Sequence, residues 1–200
     1  MPATPKHRDK IVRAAADLFR RAGYAATGTN DIVTRSGAPK GSLYHYFPGG
    51  KAEIGAAAVG YAGKRVEATL AELLARHDGD AAAAVLAYGA LLTGWLERSG
   101  YRDGCPIATV LLEVAPGEAG IAEAGRAALA GWAALFAGSL EGRGVEAGRA
   151  GDLGTLAVTL IEGSLVQARV ERSGRCISLA AAEAARLFAA ALTEASPHRA

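Results

Sequence analysis

Lys40, Ser42, Tyr44, His45 and Tyr46 fall within two helical turns of one another, inside the stretch TGTNDIVTRSGAPKGSLYHYFPGGK at residues 27–51. An ammonium, a hydroxyl, two phenols and an imidazole packed into two turns of a short helix offer donors and flat rings. Such groups read base edges and hold phosphates in a duplex groove. Leu43 and Phe47 are four apart and share another face, which is expected to pack inward against Phe19 and Ile32. Gly41 has no side chain, so the helix start can come close to a base or phosphate. The amino end of the same helix offers N–H groups to phosphate oxygens. Lys51, at the start of the next helix, can hold a phosphate from its other side. The alternative for Tyr44 and Tyr46 is a half-buried ring with a wet hydroxyl.

These side chains need elements to aim them, and the pattern around them is helical throughout. Ile11, Ala14, Ala15, Leu18, Phe19 and Ala22 recur at i, i+3, i+4, i+7, i+8 and i+11, one face of a helix over residues 6–22. Gly23 is expected to end it in a left-handed cap. A second helix is expected from Thr27-Gly28 to about Arg35, with Asp31 in its first turn, where a carboxylate suits the helix dipole. Gly37 closes it, and Pro39 opens a third helix running to about Phe47. Pro48-Gly49-Gly50 breaks the chain. Further helices are expected over about 51–76, 80–98, 106–114, 118–141, 152–172 and 178–195, and residues 1–5 are read as a disordered lead. No strand and no fixed-period repeat is visible. The fold class is therefore all-α: an N-terminal three-helix helix-turn-helix domain at 6–50, then an α-helical ligand-binding and dimerisation domain at 51–197, joined by a connecting helix at about 51–76.

Composition agrees with that division. Half of the 200 residues are hydrophobic, enough for a real core. The net charge of +2 is small, but residues 1–51 carry nine Lys/Arg against three Asp, and the remainder carries thirteen basic against seventeen acidic groups. A basic head on an acidic body suits a polyanion at one end only. Cys105 and Cys176 do not make a disulfide framework and are expected as reduced thiols. No apolar run is expected to span a membrane, and the polar start MPATPKHRDK lacks a signal-peptide core. The expectation is a cytoplasmic protein without a membrane partner.

Residues 8–54 resemble the DNA-binding head of the TetR family of bacterial repressors. The resemblance rests on Leu18-Phe19, Gly23-Tyr24, Thr27, Ile32, Gly37, Gly41, Leu43-Tyr44, Tyr46-Phe47 and Lys51. The body resembles the LmrA/YxaF-like branch through Gly104-Cys105-Pro106-Ile107-Ala108-Thr109 and Leu160-Ile161-Glu162-Gly163-Ser164-Leu165, with Ala168-Arg169 and Glu171-Arg172-Ser173 after it. The Pro48-Gly49-Gly50-Lys51 link, one residue longer than in most of the family, also suits that branch. Two departures stand out. Ala38-Pro39 replaces the usual Val-Ser, removing a hydroxyl that can cap the third helix. Gly28 replaces a common Ser or Thr. The resemblance implies repression, a homodimer, and a third helix of each head entering the major groove. By position it implies DNA contacts at Thr27, Lys40, Gly41, Ser42, Tyr44, His45, Tyr46 and Lys51. Double-stranded operator DNA is the expected partner, roughly palindromic, read by two helices ~34 Å apart or a multiple of that.

A second site is expected in the body for a small-molecule effector, among the helices of residues 80–170. Tyr88, Trp95, Trp132 and Phe136 are the bulky candidates, and Cys105, Thr109, Glu113, Glu162 and Gln167 the polar ones, since such sites are mostly apolar with a few polar groups. For each aromatic taken singly, plain core packing is the alternative and the commoner case. Glu162 either meets a cationic ligand or pairs with an arginine such as Arg126 or Arg169. Cys105 also admits a redox-sensor reading, being near Arg102 and a helix start. The Leu and Ala faces of the last two helices, with small Gly154, Gly163 and Ser164, suit a four-helix homodimer interface; the alternative is burial within one subunit.

Enzyme readings find no support in spacing. His7, His45, His77 and His198 are scattered, without His-Glu-x-x-His or Cys-x-x-Cys, so neither a metal nor a catalytic residue is assigned. Residues 142–148, GRGVEAG, mimic a dinucleotide loop, but a helix precedes them rather than a strand, and they are read as a loop. No cofactor is expected. An α-helical enzyme or carrier built on the body, and an architectural DNA binder without ligand response, are the competing classes.

Overall fold

The structure is a computed structural model that describes residues 6–195; the expected disordered lead at 1–5 and His198 lie outside the described residues. Among these, all regular structure is helical: α1 (Lys6–Ala22), α2 (Thr29–Ser36), α3 (Lys40–Tyr46), α4 (Gly50–Arg76), α5 (Ala81–Arg98), α6 (Ala108–Val114), α7 (Ala119–Glu141), α8 (Ala147–Glu171) and α9 (Arg175–Ala195). The chain packs as two compact units. One holds the described residues up to Arg65 together with Cys105–Ala128; the other holds Val66–Gly104 and the described residues from Leu129 onward.

The first unit is built on the α1 stripe. Ile11, Ala15 and Phe19 are wholly buried, as are Ile32 of α2, Leu43 of α3, Phe47 and Ile54. The inward face expected of Leu43 and Phe47 is thus present. Gly23 (φ +86°) ends α1, and Gly37 (φ +63°) ends α2, each in the left-handed region that glycine enters without a Cβ penalty. Asp17 ties α1 to α2: its carboxylate accepts from Arg35 at 2.5 Å and Arg20 at 3.3 Å, with Arg21 at 3.1 Å. Burial pushes this carboxyl up, but the hydrogen bonds from Arg35 and Arg20 and the charges of Arg21 and Arg35 outweigh it and hold it below the usual carboxylate range. A lowered pKa gives stability that is present above the unfolded-state value and lost as pH falls through the folded one. Asp17→Asn is therefore expected to lower the thermal midpoint near neutral pH by about 2–4 °C, for a loss of ~1 kcal/mol. The gap from wild type should close as the pH drops below the carboxylate range. A constant gap at every pH would mean that the charge plays no part.

The second unit is a helical pack in which α9 lies against α5 and α8. Its buried set includes Val85, Leu140, Leu153, Ile161, Leu165, Ile177 and Phe188, with Phe136 and Phe188 rings 5.6 Å apart. Glycine sets the helix spacing at two points: a Cβ on Gly89 would lie 2.8 Å from the Ala181 methyl, and one on Gly154 only 2.3 Å from the Ala133 carbonyl oxygen.

Three expectations need correction. Helix α8 starts at Ala147, five residues earlier than the apolar spacing suggests, because the Glu146 carboxylate caps it by accepting from Gly148 and Arg149 N–H, each at 2.9 Å. The last two residues of the expected 142–148 loop thus belong to a helix. Helix α6 starts at Ala108, after a turn at Pro106-Ile107. Helix α9, finally, is long and apolar enough to cross a membrane by length and composition. Its apolarity is largely alanine, and Ile177, Ala181, Ala184, Phe188 and Ala191 bury within the second unit. Cys105, which is buried, and Cys176 form no disulfide.

Candidate nucleic-acid interface

The pair α2–α3 is joined by Gly37-Ala38-Pro39. Gly37 N–H donates to the Val33 carbonyl at 3.1 Å. The Ser36 hydroxyl donates to the same carbonyl at 3.0 Å and accepts from Ala38 N–H at 3.2 Å. Ala38 is buried, and Pro39, which has no N–H to leave unpaired, sets the entry to α3 without a side-chain cap. At the other end Asp31 accepts from Gly28 N–H at 2.8 Å, so a carboxylate fixes the start of α2 where Ser or Thr is missing. The turn geometry is closed by local bonds and does not depend on the hydroxyl lost at Pro39.

With Leu43 and Phe47 turned inward, Lys40, Gly41, Tyr44 and His45 are exposed, and Ser42 and Tyr46 are half-buried. Tyr44 is 52% exposed, which separates the two readings of that residue in favour of an outward ring. Tyr46 takes the other course in part: its ring meets His45 edge to face, centroids 4.9 Å apart. The result is an exposed lysine, backbone, phenol and imidazole on one short helix of a basic unit. Phosphate contacts of such a helix would set position, and its ring and imidazole can reach base edges.

Two expected contacts have occupations of their own. Thr27 is buried, and its hydroxyl donates to the Gly23 carbonyl at 2.8 Å. Lys51 places its ammonium 4.3 Å from the Tyr24 ring centroid and 3.4 Å from the Ala25 carbonyl, a cation–π contact that fastens the start of α4 to the turn after α1. Sequence spacing exposes neither bond, because both partners lie across a turn or a helix boundary.

The second unit contains a small cavity of about 10 Å³, room for about one water, lined by Leu70, Tyr88, Trp132, Phe136, Ala157, Val158, Ile161 and Glu162. Four of the nine candidate ligand residues meet here: Tyr88, Trp132, Phe136 and Glu162. The others do not line it. Trp95 is 40% exposed on α5 and Gln167 is exposed on α8. Cys105, Thr109 and Glu113 belong to the first unit. Glu113 there accepts two backbone N–H groups, from Tyr24 and Ala25. The aliphatic lining at Ala157, Val158 and Ile161 was missed; its signal is the i, i+3, i+4 spacing of Val158, Ile161 and Glu162, with Ala157 one turn before Ile161.

Comparison with known proteins agrees with both halves. Residues 11–58 match the family model described as bacterial regulatory proteins, tetR family, and residues 81–183 match the transcriptional regulator LmrA/YxaF-like C-terminal domain. The chain is 35% identical to the uncharacterized HTH-type transcriptional regulator YxaF of Bacillus subtilis over 159 residues, covering 80% of this chain and 83% of that one. It is 33% identical to the uncharacterized HTH-type transcriptional regulator Rv0196 of Mycobacterium tuberculosis, with 94% and 97% covered. The crystal structure of reduced Escherichia coli NemR shares the fold, with TM-score 0.77 at 23% identity over 89% of this chain and 94% of that one. These relatives are regulators rather than enzymes. The chain belongs to the TetR family of DNA-binding transcriptional regulators, in its LmrA/YxaF-like branch.

Proposed function

We propose that this regulator is a ligand-responsive repressor that binds a palindromic operator as a homodimer and is released by a small molecule. The observation that carries the reading is α3: an outward Lys40, Gly41, Tyr44 and His45 over a wholly buried Leu43 and Phe47. Residues 6–50 act as the DNA-binding domain and 51–197 as the ligand-binding and dimerisation domain, with α4 linking them and 196–197 outside the described residues. A cytoplasmic location follows from the task of meeting DNA.

The homodimer contact is assigned to α8 and α9. Leu156, Val166 and Val170 of α8 and Leu179 of α9 are 41%, 57%, 81% and 66% exposed. Gly163 and Thr159, small and exposed, lie along the same stretch of α8. A second copy covering these faces would remove that apolar surface from water. The effector site is assigned to the cavity with Tyr88, Trp132, Phe136 and Glu162, three rings and one carboxylate in an apolar lining. An effector that favours one head spacing over another shifts the population away from the operator-bound form.

The test is selection of DNA from a random duplex pool by the purified protein. The expected outcome is an inverted repeat with half-sites one helical turn, ~34 Å, apart or a multiple of it. Enrichment of a single unrepeated site would overturn the two-fold reading. Retention of DNA with no sequence preference would point to an architectural binder instead.

A further inference from the structure

Glu113 lies in α6, 89 residues from Tyr24 in sequence, yet its carboxylate grips the turn between α1 and α2. One oxygen accepts from Tyr24 N–H at 2.8 Å and the other from Ala25 N–H at 2.6 Å. The turn's own bonds use other groups. Gly23 N–H donates to Phe19, Thr27 N–H to the Tyr24 carbonyl, and the Thr27 hydroxyl to the Gly23 carbonyl. The two successive amides therefore form a small anion-binding nest, filled from a distant helix by charge-assisted bonds.

Gly23 is fitted to this contact twice over. Its φ of +86° disfavours any side chain, and a Cβ there would lie 2.3 Å from the Glu113 carboxylate oxygen. The same turn is held by Lys51 through the Tyr24 ring and the Ala25 carbonyl. Residues 24 and 25 are thus fastened from α6 by an anion and from α4 by a cation. What they fasten is the angle between α1 and α2, and α2 carries α3.

We propose that Glu113 is a positioning residue for DNA binding: its carboxylate fixes the α1–α2 turn, and any movement of α6 that withdraws it misaims α3 and lowers operator affinity. The proposal rests on the DNA-binding reading of α3. Electrostatics gives it a sharp sign. Glu113 is an anion on a basic unit, so removing its charge would tighten DNA binding if charge alone mattered. Loss of positioning weakens it.

The test compares full-length wild type, Glu113→Gln and Glu123→Gln by fluorescence anisotropy, on the duplex that wild type selects from a random pool. Glu123 loses the same charge from the same unit, and its partner is Arg126 rather than the turn. Glu113→Gln is expected to bind about tenfold more weakly, and Glu123→Gln at least as tightly as wild type. Equal or tighter binding by Glu113→Gln overturns the proposal. Amide hydrogen exchange on wild type gives a second measurement that needs no variant. The Tyr24 and Ala25 amides should be protected in the free protein, and free exchange at both would overturn the clasp even if Glu113→Gln failed to fold. Failure of the DNA-binding reading looks different, since wild type itself would then select no duplex.

Discussion

Tyr44→Ala is expected to weaken binding to the selected operator by about ten- to thirtyfold, ~1.5–2 kcal/mol, while leaving binding to unrelated duplex nearly unchanged. The ring stands outward on α3 at 52% exposure, one turn beyond Lys40, and the helix beneath it is fixed by Leu43 and Phe47, both wholly buried. Truncation therefore removes a contact without opening the core, and thermal stability should shift little, as for other surface changes. The background attraction comes from the basic residues of the head and survives, because it depends on phosphates rather than bases. Lys40→Ala should behave in the opposite way. It should weaken all duplexes alike and reduce the slope of log affinity against log salt by about one. Gel shifts at two salt concentrations, on selected and scrambled DNA, separate the two. If Tyr44→Ala keeps full operator affinity, the recognition strip has been assigned to the wrong side chain.

Gly154→Ala is expected to destabilise the protein by about 2 kcal/mol and lower the thermal midpoint by about 4–8 °C. A methyl group there would stand 2.3 Å from the Ala133 carbonyl oxygen, 3.1 Å from its carbon and 3.4 Å from the Ala137 nitrogen. All three are backbone atoms of α7. A side chain could rotate out of the way, but a helix backbone cannot, so α7 and α8 must separate. That cost exceeds the ~1 kcal/mol by which alanine outranks glycine as a helix former. Gly151, in the same helix and with nothing within 4 Å of where a Cβ would stand, isolates the propensity effect. Gly151→Ala should raise the midpoint. Two glycines three residues apart in α8 are thus predicted to respond with opposite signs. Scanning calorimetry of both variants decides the matter, and a stable Gly154→Ala would mean that the helices repack freely.

Much of this architecture is legible in the chain because helices are local. The α1 stripe, the left-handed stops at Gly23 and Gly37, and the break at Pro48-Gly49-Gly50 each need only neighbouring residues to be read. The α2–α3 unit was legible for the same reason, and so were the inward Leu43 and Phe47. What escaped the sequence involves partners chosen by the tertiary fold or unusual chemistry. Glu146 caps α8 although Ser, Thr, Asp and Asn are the common caps, so that helix looked shorter than it is. Thr27 reads as a hydroxyl free for phosphate until Gly23 is seen to accept from it. Glu113 reads as a polar candidate for the effector site, and only the folded chain brings it to amides 88 and 89 residues away. The cavity gathered Tyr88, Trp132, Phe136 and Glu162 from three helices, a convergence that periodicity within any one helix does not encode.

The cavity's modest size bears on sensitivity. At about 10 Å³, room for about one water, it falls far under the ~300–1,000 Å³ usual for occupied drug-sized sites. A guest of ordinary bulk, if the proposed effector site is this one, would have to wait for a swollen rearrangement of Leu70, Trp132 and their neighbours, and its apparent dissociation constant would rise in inverse proportion to how seldom that form occurs. Were the swollen form one molecule in a hundred, half-saturation would take about a hundredfold more guest than the intrinsic affinity suggests. Transcription under this regulator would then ignore traces and respond to dose.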